Sequence, residues 1–129
     1  MLATPISSDP YTNADSQHAT QVEPDSFAFG NAIVGTFQTG RFVNGGGATN
    51  IAWATSTDAG RHWMTGVLPG TTVNEGGPWA PISDPAVAYD PAHGVWMISS
   101  LAFGMASSPS GSPSAVLTSR STDGGLSTA

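Results

Sequence analysis

Cysteine and lysine are both missing from this sequence of 129 residues, and basic side chains of any kind are scarce. Without cysteine there can be neither a disulfide framework nor a thiolate metal site. Arg41, Arg61 and Arg120 are the only basic residues against nine carboxylates, which gives a formal net charge of −6. Because binding to nucleic-acid phosphates needs a cluster of cations, we expect no nucleic-acid partner.

Long apolar runs are missing as well. No stretch approaches the roughly 20 apolar residues of a membrane-spanning helix. The residues that follow Met1 also lack the basic and apolar regions of a signal peptide. We therefore expect a soluble chain without a membrane partner, whose export signal either lies outside this sequence or does not exist.

Glycine, proline and tryptophan are plentiful, with 16, 10 and four residues respectively. This composition favours short strands and tight turns over long helices. The length is that of one ordinary domain, which is enough to bury a usable core. The sequence therefore predicts an all-β protein.

Short apolar runs separated by turn signals begin near Asp25, after an irregular polar lead-in at residues 1–24. The first four runs predict a meander of four strands within a unit at 25–67. A loop rich in Pro, Gly and Thr follows at 68–81, and the pattern then restarts. The predicted strands are 26–29, 32–38, 50–56 and 62–67 in the first unit, and 85–89, 94–102 and 114–120 in the second.

The second unit, at 82–129, repeats the first. Asp25 aligns with Asp84 at an offset of 59 residues, whereas Ile51 aligns with Val116 and Ser56 with Ser121 at an offset of 65. We assign the difference to a longer low-complexity loop at 104–114. The second unit is incomplete by this comparison, because its fourth strand would follow Ala129.

A repeated four-stranded unit is typical of a β-propeller, since one small sheet cannot bury both faces unless neighbouring blades cover it. We therefore expect about two four-stranded antiparallel blades of a larger propeller. The alternative is a self-contained domain of two β-sheets.

A shared turn motif comes directly after the third strand of each unit. It reads STDAGRHW at 56–63 and STDGGLST at 121–128. An aspartate in such a turn accepts backbone N–H groups that no strand satisfies, the glycine takes a positive φ, and a tryptophan can cover the turn. We therefore predict structural roles for Ser56, Asp58, Gly60 and Trp63 and for Ser121, Asp123 and Gly125.

Asp58 and His62 could instead be an acid–base pair or metal ligands. The second copy argues for the folding role, because Asp123 recurs there while Ser127 stands where His62 stood. A calcium ion held by turn oxygens remains an alternative. The three histidines have no ligand spacing, so we predict no histidine metal site and no cofactor.

The pattern Ser-x-Asp-x-Gly-x-x-Trp resembles the Asp-box, or BNR repeat, of the sialidase superfamily of β-propellers. The match at 56–63 is complete, and the one at 121–128 lacks only the tryptophan, with Thr128 in its place. The flanking segments at 20–42 and 83–103 also resemble the inner strands of exo-α-sialidase-like proteins. The resemblance covers roughly residues 20 to 126 and implies a parent propeller of about six blades.

Active members of this superfamily would use three arginines to hold a substrate carboxylate, an aspartate as acid/base and a tyrosine–glutamate pair as nucleophile. The resemblance transfers one of these arginines, to Arg41. The first arginine is absent, because the matching segment is Gln21, Val22, Glu23 and Pro24. Asn44 is the nearest polar residue to the acid position, and an amide cannot donate a proton as an acid would.

Arg41 and Trp79 are the two candidate ligand-binding residues. Arg41 could bind an anionic ligand, or it could pair with Glu23 or Asp25. Trp79 lies in the loop between the units and could stack on a sugar, whereas Trp96 and Tyr89 fit better as core residues.

Two functions therefore remain open. The resemblance implies an extracytoplasmic glycoside hydrolase of exo-α-sialidase type that acts on glycans, with this segment alone inactive. The alternative is a non-catalytic propeller that binds glycans or protein partners, which the missing arginine and the missing acid favour. In either case, further blades are expected to close the propeller.

Overall fold

The computed structural model describes residues 3–104 and 113–127, and these residues form seven antiparallel strands. One short 3-10 turn at Val73–Glu75 is the only helical element among them, and no helix in this part of the chain is long and apolar enough to span a membrane. The all-β prediction is confirmed. The strands are β1 (Gln21–Phe29), β2 (Ala32–Arg41), β3 (Ala48–Ser56), β4 (Met64–Val67), β5 (Ile82–Asp90), β6 (Val95–Phe103) and β7 (Ser114–Ser121).

Two meanders make up one open sheet. Strands β1 to β4 pair in sequence order, and β5, β6 and β7 do the same. A single residue pair, Ala48 with Ile82, joins β3 to β5, while the other end of β3 pairs with β4. The sheet order is therefore β1-β2-β3-β5-β6-β7, with β4 beside β3.

Strand β1 starts at Gln21, four residues before the predicted beginning of order at Asp25. A bulge between Val22 and Asp25 leaves Glu23 and Pro24 outside the ladder, so the proline does not end the strand. The lead-in before it is irregular, as expected, but it is hydrogen-bonded to the first unit and to the loop that follows that unit. Tyr11 Oη donates to Glu75 Oε1 at 2.8 Å, and the N–H of Gln17 donates to the carbonyl of Arg41 at 2.6 Å.

The strand registers give the correspondence between the two units. Val22 and Ser83 precede equivalent bulges, so the next residues, Glu23 and Asp84, correspond at an offset of 61. The predicted alignment of Asp84 with Asp25 is therefore wrong. The offset becomes 63 in the next strand because four residues, 91–94, join β5 to β6 where only two join β1 to β2. It reaches 65 at Ser121, as predicted. The longer loop after β6 lies mostly outside the described residues, at 105–112.

The core lies where the second meander packs across β1 and β2 of the first. Trp96, only 5% exposed, is at its centre, and Tyr89 stacks between Trp96 and Phe29 with ring centroids 4.8 and 4.5 Å away. Both therefore pack as the core residues expected from the sequence. A smaller cluster of Phe37, Ala52 and Ala54 lies apart from this core. The buried residues of the main core are Val34, Ile51, Leu68, Ile82, Val87, Trp96, Ile98 and Ala102.

Candidate functional site: two repeated turns and Arg41

The first turn is organised by Ser56, which ends β3 and is 1% exposed. Its Oγ donates to Asp58 Oδ1 at 2.9 Å and accepts the N–H of Gly60 at 2.8 Å. Gly60 has φ of 84°, a conformation that a residue with a Cβ adopts only at a cost. The hydroxyl thus satisfies a turn N–H that has no strand partner.

Asp58 holds the other side of the same turn. Its Oδ1 accepts the N–H groups of Arg61 and His62 at 3.0 and 2.9 Å, and its Oδ2 lies 2.5 Å from His62 Nδ1. The backbone hydrogen bond from His62, followed by those from the side chains of His62 and Ser56, lowers the pKa of Asp58 well below its usual range. The carboxylate is therefore an ionised acceptor for the turn, not a proton donor near neutral pH.

The second turn has the same hydrogen bonds. Ser121 Oγ donates to Asp123 Oδ1 at 2.6 Å and accepts the N–H of Gly125 at 3.0 Å. Asp123 Oδ1 accepts the N–H groups of Leu126 and Ser127 at 2.9 and 3.0 Å. Gly125 has φ of 86°. Hydrogen bonds from Ser121 and then from Ser127 lower the pKa of Asp123 in the same direction as that of Asp58.

The position of His62 explains why the histidine is replaceable. Ser127 Oγ donates to Asp123 Oδ2 at 2.6 Å, which is the contact that His62 makes with Asp58 in the first turn. A hydroxyl and an imidazole thus satisfy the same carboxylate oxygen. The described residues contain no group of three or more His, Cys, Asp or Glu side chains arranged to hold a metal ion. The arrangement around Asp58 is that of a structural turn.

Trp63 lies one residue before β4 and partly covers the first turn. Its Nε1 donates to the carbonyl of Gly60 at 3.1 Å, and its ring packs against the cluster of Phe37, Ala52 and Ala54. The equivalent position in the second turn, Thr128, lies outside the described residues.

Arg41 ends β2 and is half-buried. The salt bridges of the described residues join His62 to Asp58 and His93 to Asp90, so Arg41 has no carboxylate partner in this part of the chain. Of its two predicted partners, Glu23 is hydrogen-bonded by Gln38, and Asp25 Oδ2 accepts the N–H of Val87 at 2.8 Å.

A glycine-rich loop adjoins Arg41 between β2 and β3. Gly45, Gly46 and Gly47 have φ of 74°, 74° and 116° in succession, and a Cβ placed on Gly45 would lie 4.0 Å from an Arg41 nitrogen. Successive N–H groups on such a backbone can form an anion-binding concavity, but the N–H of Gly45 already donates to the carbonyl of Phe42 at 3.0 Å. Asn44, the residue nearest the family's acid position, is exposed in this loop.

Trp79 lies in the connection between the two meanders and is partly buried. The Trp79 ring packs against the main core, and the backbone N–H of Trp79 donates to the carbonyl of Thr71 at 3.3 Å. The face available for a sugar is therefore smaller than its position in a loop suggested.

One cavity lies beside each of the two repeated turns. The space between the meanders, beside Trp53 and Trp96, measures about 20 Å³, which is room for about one water molecule. An open groove of about 480 Å³ lies between residues 4–6 of the lead-in and residues 60–63 of the first turn. Neither cavity is lined by Arg41 or Trp79.

Sequence reasoning did not single out Gln38 and Ser83, which lie between Glu23 and Asp84 in the structure. A signal for this arrangement exists in the sequence. Each unit has an acidic residue directly before a proline, Glu23-Pro24 and Asp84-Pro85, at the start of its first strand.

The fold and these contacts define an antiparallel β protein with two copies of one hydrogen-bonded turn and a cationic side chain beside a glycine-rich loop. A scan against protein-family models finds no match to this sequence. A comparison with curated proteins finds no significant match either.

Proposed function

We propose that the chain carries two blades of a sialidase-like β-propeller with Asp-box repeats. The observation that carries this proposal is the turn built twice, around Asp58 and around Asp123, at the end of the third strand of each unit. The resemblance of the first turn to a complete Asp-box supports the same assignment.

A comparison of equivalent sheet faces supports the presence of further units in the parent protein. The second unit covers one face of the first, where Ile51 is 0% exposed, whereas the equivalent residue of the second unit, Val116, is 74% exposed. Val34 is likewise 1% exposed, and its equivalent, Met97, is only partly buried. A third unit stacked in the same way would remove Val116 from water, as a propeller requires.

The activity that we propose for the parent protein is glycan processing of the exo-α-sialidase type, outside the cytoplasm. Arg41 supports it, because a half-buried arginine without a carboxylate partner in the described chain is suited to binding a ligand carboxylate.

A non-catalytic glycan-binding propeller is the second candidate. It is favoured by Val22, which stands at the position of the family's first arginine, and by Asn44, which cannot act as an acid. The two candidates share Arg41 and differ in whether a glycosidic bond is broken.

Titration calorimetry of the chain with α-sialosides tests the shared site. We expect Arg41→Ala to weaken binding about 10- to 100-fold, from the loss of a charge-assisted hydrogen bond, and the control Arg61→Ala to leave it unchanged. Equal affinity of the unsubstituted chain and the Arg41→Ala variant would reject Arg41 as the ligand-binding residue.

Assays of the full-length gene product then separate the two candidates. Release of sialic acid or another terminal sugar supports the hydrolase. Binding on a glycan array without turnover of any glycoside supports the non-catalytic propeller.

A further inference from the structure

The open groove beside the first turn is formed by two distant parts of the chain. Thr4, Pro5 and Ile6 of the lead-in form one wall, and the turn segment 60–63 forms the other. Its volume of about 480 Å³ lies within the roughly 300 to 1,000 Å³ that is usual for small-molecule clefts. The groove is therefore large enough to hold a small organic molecule.

The ionisable side chains of the groove are basic. Arg61 and His62 line it, whereas none of the nine carboxylates of the sequence does, although the formal net charge is −6. Arg61 is exposed, and no salt bridge among the described residues involves it. The nearby carboxylate of Asp58 accepts the backbone N–H groups of Arg61 and His62 and contacts the His62 ring. The Arg61 side chain is therefore suited to binding a ligand carboxylate.

Apolar side chains supply much of the remaining surface. The Trp63 indole donates its Nε1 hydrogen to the carbonyl of Gly60 at 3.1 Å, so its one polar atom is used within the turn. Ile6 is 37% exposed, and Pro5 lies beside it in the opposite wall. Aromatic and aliphatic surface of this kind is stabilised when a planar apolar group covers it. A ligand that matches the groove therefore combines a negative charge with an apolar body.

The second turn shows that the cation is not needed for the turn itself. Leu126 stands there at the position of Arg61, at the offset of 65. The N–H of Leu126 donates to Asp123 at 2.9 Å, as the N–H of Arg61 donates to Asp58 at 3.0 Å. The same backbone contact thus forms with either side chain. The guanidinium of Arg61 has no structural role in the turn, and a substitution there should leave the turn intact.

We propose that this groove binds a small organic anion in which a carboxylate is attached to a planar apolar body. Arg61 binds the carboxylate, and the Trp63 ring with Ile6 and Pro5 contacts the body. An α-sialoside lacks such a body, because its sugar ring carries hydroxyl groups. The groove is therefore a second site, separate from the one proposed at Arg41, and this inference does not depend on the proposed function.

Indole-3-acetate is a suitable probe, because it joins a carboxylate to a planar apolar ring. For a ligand of this size we expect a Kd of about 1 mM. Two-dimensional NMR of the ¹⁵N-labelled chain measures this Kd. The backbone amide resonances of residues 60–63 and the indole N–H resonance of Trp63 should shift and saturate, whereas those of β6 should not. The neutral analogue indole-3-acetamide, and acetate without the ring, should each bind at least about 10-fold more weakly.

Three variants test the two walls of the groove. Arg61→Ala should weaken binding of indole-3-acetate at least about 10-fold, because the carboxylate loses a charge-assisted hydrogen bond. Arg120→Ala is the matched control, since Arg120 is also exposed but does not line the groove, and it should bind as the unsubstituted chain does. Ile6→Ser should weaken binding by about 3- to 10-fold through the loss of apolar contact. The NMR spectrum of each variant verifies that it is folded.

Any of four results would overturn the proposal. They are no shift at residues 60–63 up to about 10 mM probe, tenfold above the expected Kd, equal affinity for indole-3-acetamide, undiminished binding by Arg61→Ala, and equal losses in Arg61→Ala and Arg120→Ala. If Arg61→Ala does not fold, Arg61→Leu decides the question, because Leu126 occupies the equivalent position in the second turn. Competition separates the two sites: excess α-sialoside should leave the shifts at 60–63 unchanged, and displacement of indole-3-acetate would contradict the selection of an apolar body.

Discussion

Asp58 and Asp123 lie 65 residues apart in sequence and make the same hydrogen bonds. Each accepts a serine hydroxyl from two residues before it and backbone N–H groups from three and four residues after it. The second carboxylate oxygen of each aspartate contacts the side chain four residues later, which is His62 in one turn and Ser127 in the other. The aspartate and its serine are therefore the constant part of the turn, and the later partner is exchangeable.

The acid stability of the protein depends on these two carboxylates. Their folded pKa values are lowered by hydrogen bonds, so their contribution to stability is present above the ordinary carboxyl pKa of about 3.9 and is lost as the pH falls below it. We expect the free energy of unfolding to fall between about pH 4 and pH 2. In the double variant Asp58→Asn, Asp123→Asn, the free energy of unfolding at pH 7 should be lower than in the unsubstituted chain. It should also fall less steeply as the pH is lowered. Urea denaturation at several pH values measures both, and parallel curves for the two proteins would contradict the assignment.

Ser56 should contribute more to stability than an exposed serine does. Ser56→Ala removes the donor to Asp58 and leaves the N–H of Gly60 without its acceptor, at a cost of about 1 to 3 kcal/mol. The control Ser26→Ala, on the exposed part of β1, should change the free energy of unfolding by less than about 0.5 kcal/mol. Chemical denaturation of the two variants tests this difference, and equal effects would refute the role of the buried hydroxyl.

Gly60 should resist substitution because of its backbone conformation. Gly60→Ala imposes a Cβ at φ of 84° and should destabilise the protein by about 1 to 2 kcal/mol. Gly35→Ala is the control, since no positive φ is involved and the nearest atoms to its added Cβ are 3.8 and 3.9 Å away. We expect Tm to fall clearly only in Gly60→Ala. A comparable fall in Gly35→Ala would indicate that adding a methyl group, not the turn conformation, sets the cost.

Ile51 and Val116 should respond differently to truncation although they occupy equivalent positions. Ile51→Ala opens a cavity in the main core and should cost about 2 to 5 kcal/mol. Val116→Ala removes an exposed side chain and should cost less than about 0.5 kcal/mol in a monomeric sample. Denaturation together with sedimentation analysis provides the test. A large cost at Val116 would mean that its face is already covered in solution by another molecule.

The strands were predictable because apolar runs and turn residues mark them, and all seven are found near the predicted positions. The equivalence of Asp84 with Glu23 was not, because Asp84 matches Asp25 in residue type, whereas the two equivalent bulges that establish the correspondence are visible only in the strand pairing. The proline beside each acid was the better guide.

The candidate site was less predictable than the fold, since it depends on contacts distant in sequence. The hydrogen bond from Tyr11 to Glu75 spans 64 residues, and the packing of Trp79 on the core depends on the path of its loop. Burial and the hydrogen bond to Glu75 raise the pKa of Tyr11, an effect that no local pattern indicates. Arg41 was identified from a resemblance, and the absence of a salt bridge to it within the described chain became visible only in three dimensions.

The pairing of Ala48 with Ile82 has a mechanical consequence. Every other junction between neighbouring strands has several paired residues, whereas β3 and β5 share only this one pair. A force that separates β3 from β5 within the sheet would act on this single residue pair, so the two meanders are held together mainly by the contacts between their packed faces. Hydrogen exchange of the backbone amides at the junction of Ala48 and Ile82 should therefore be faster than within either meander.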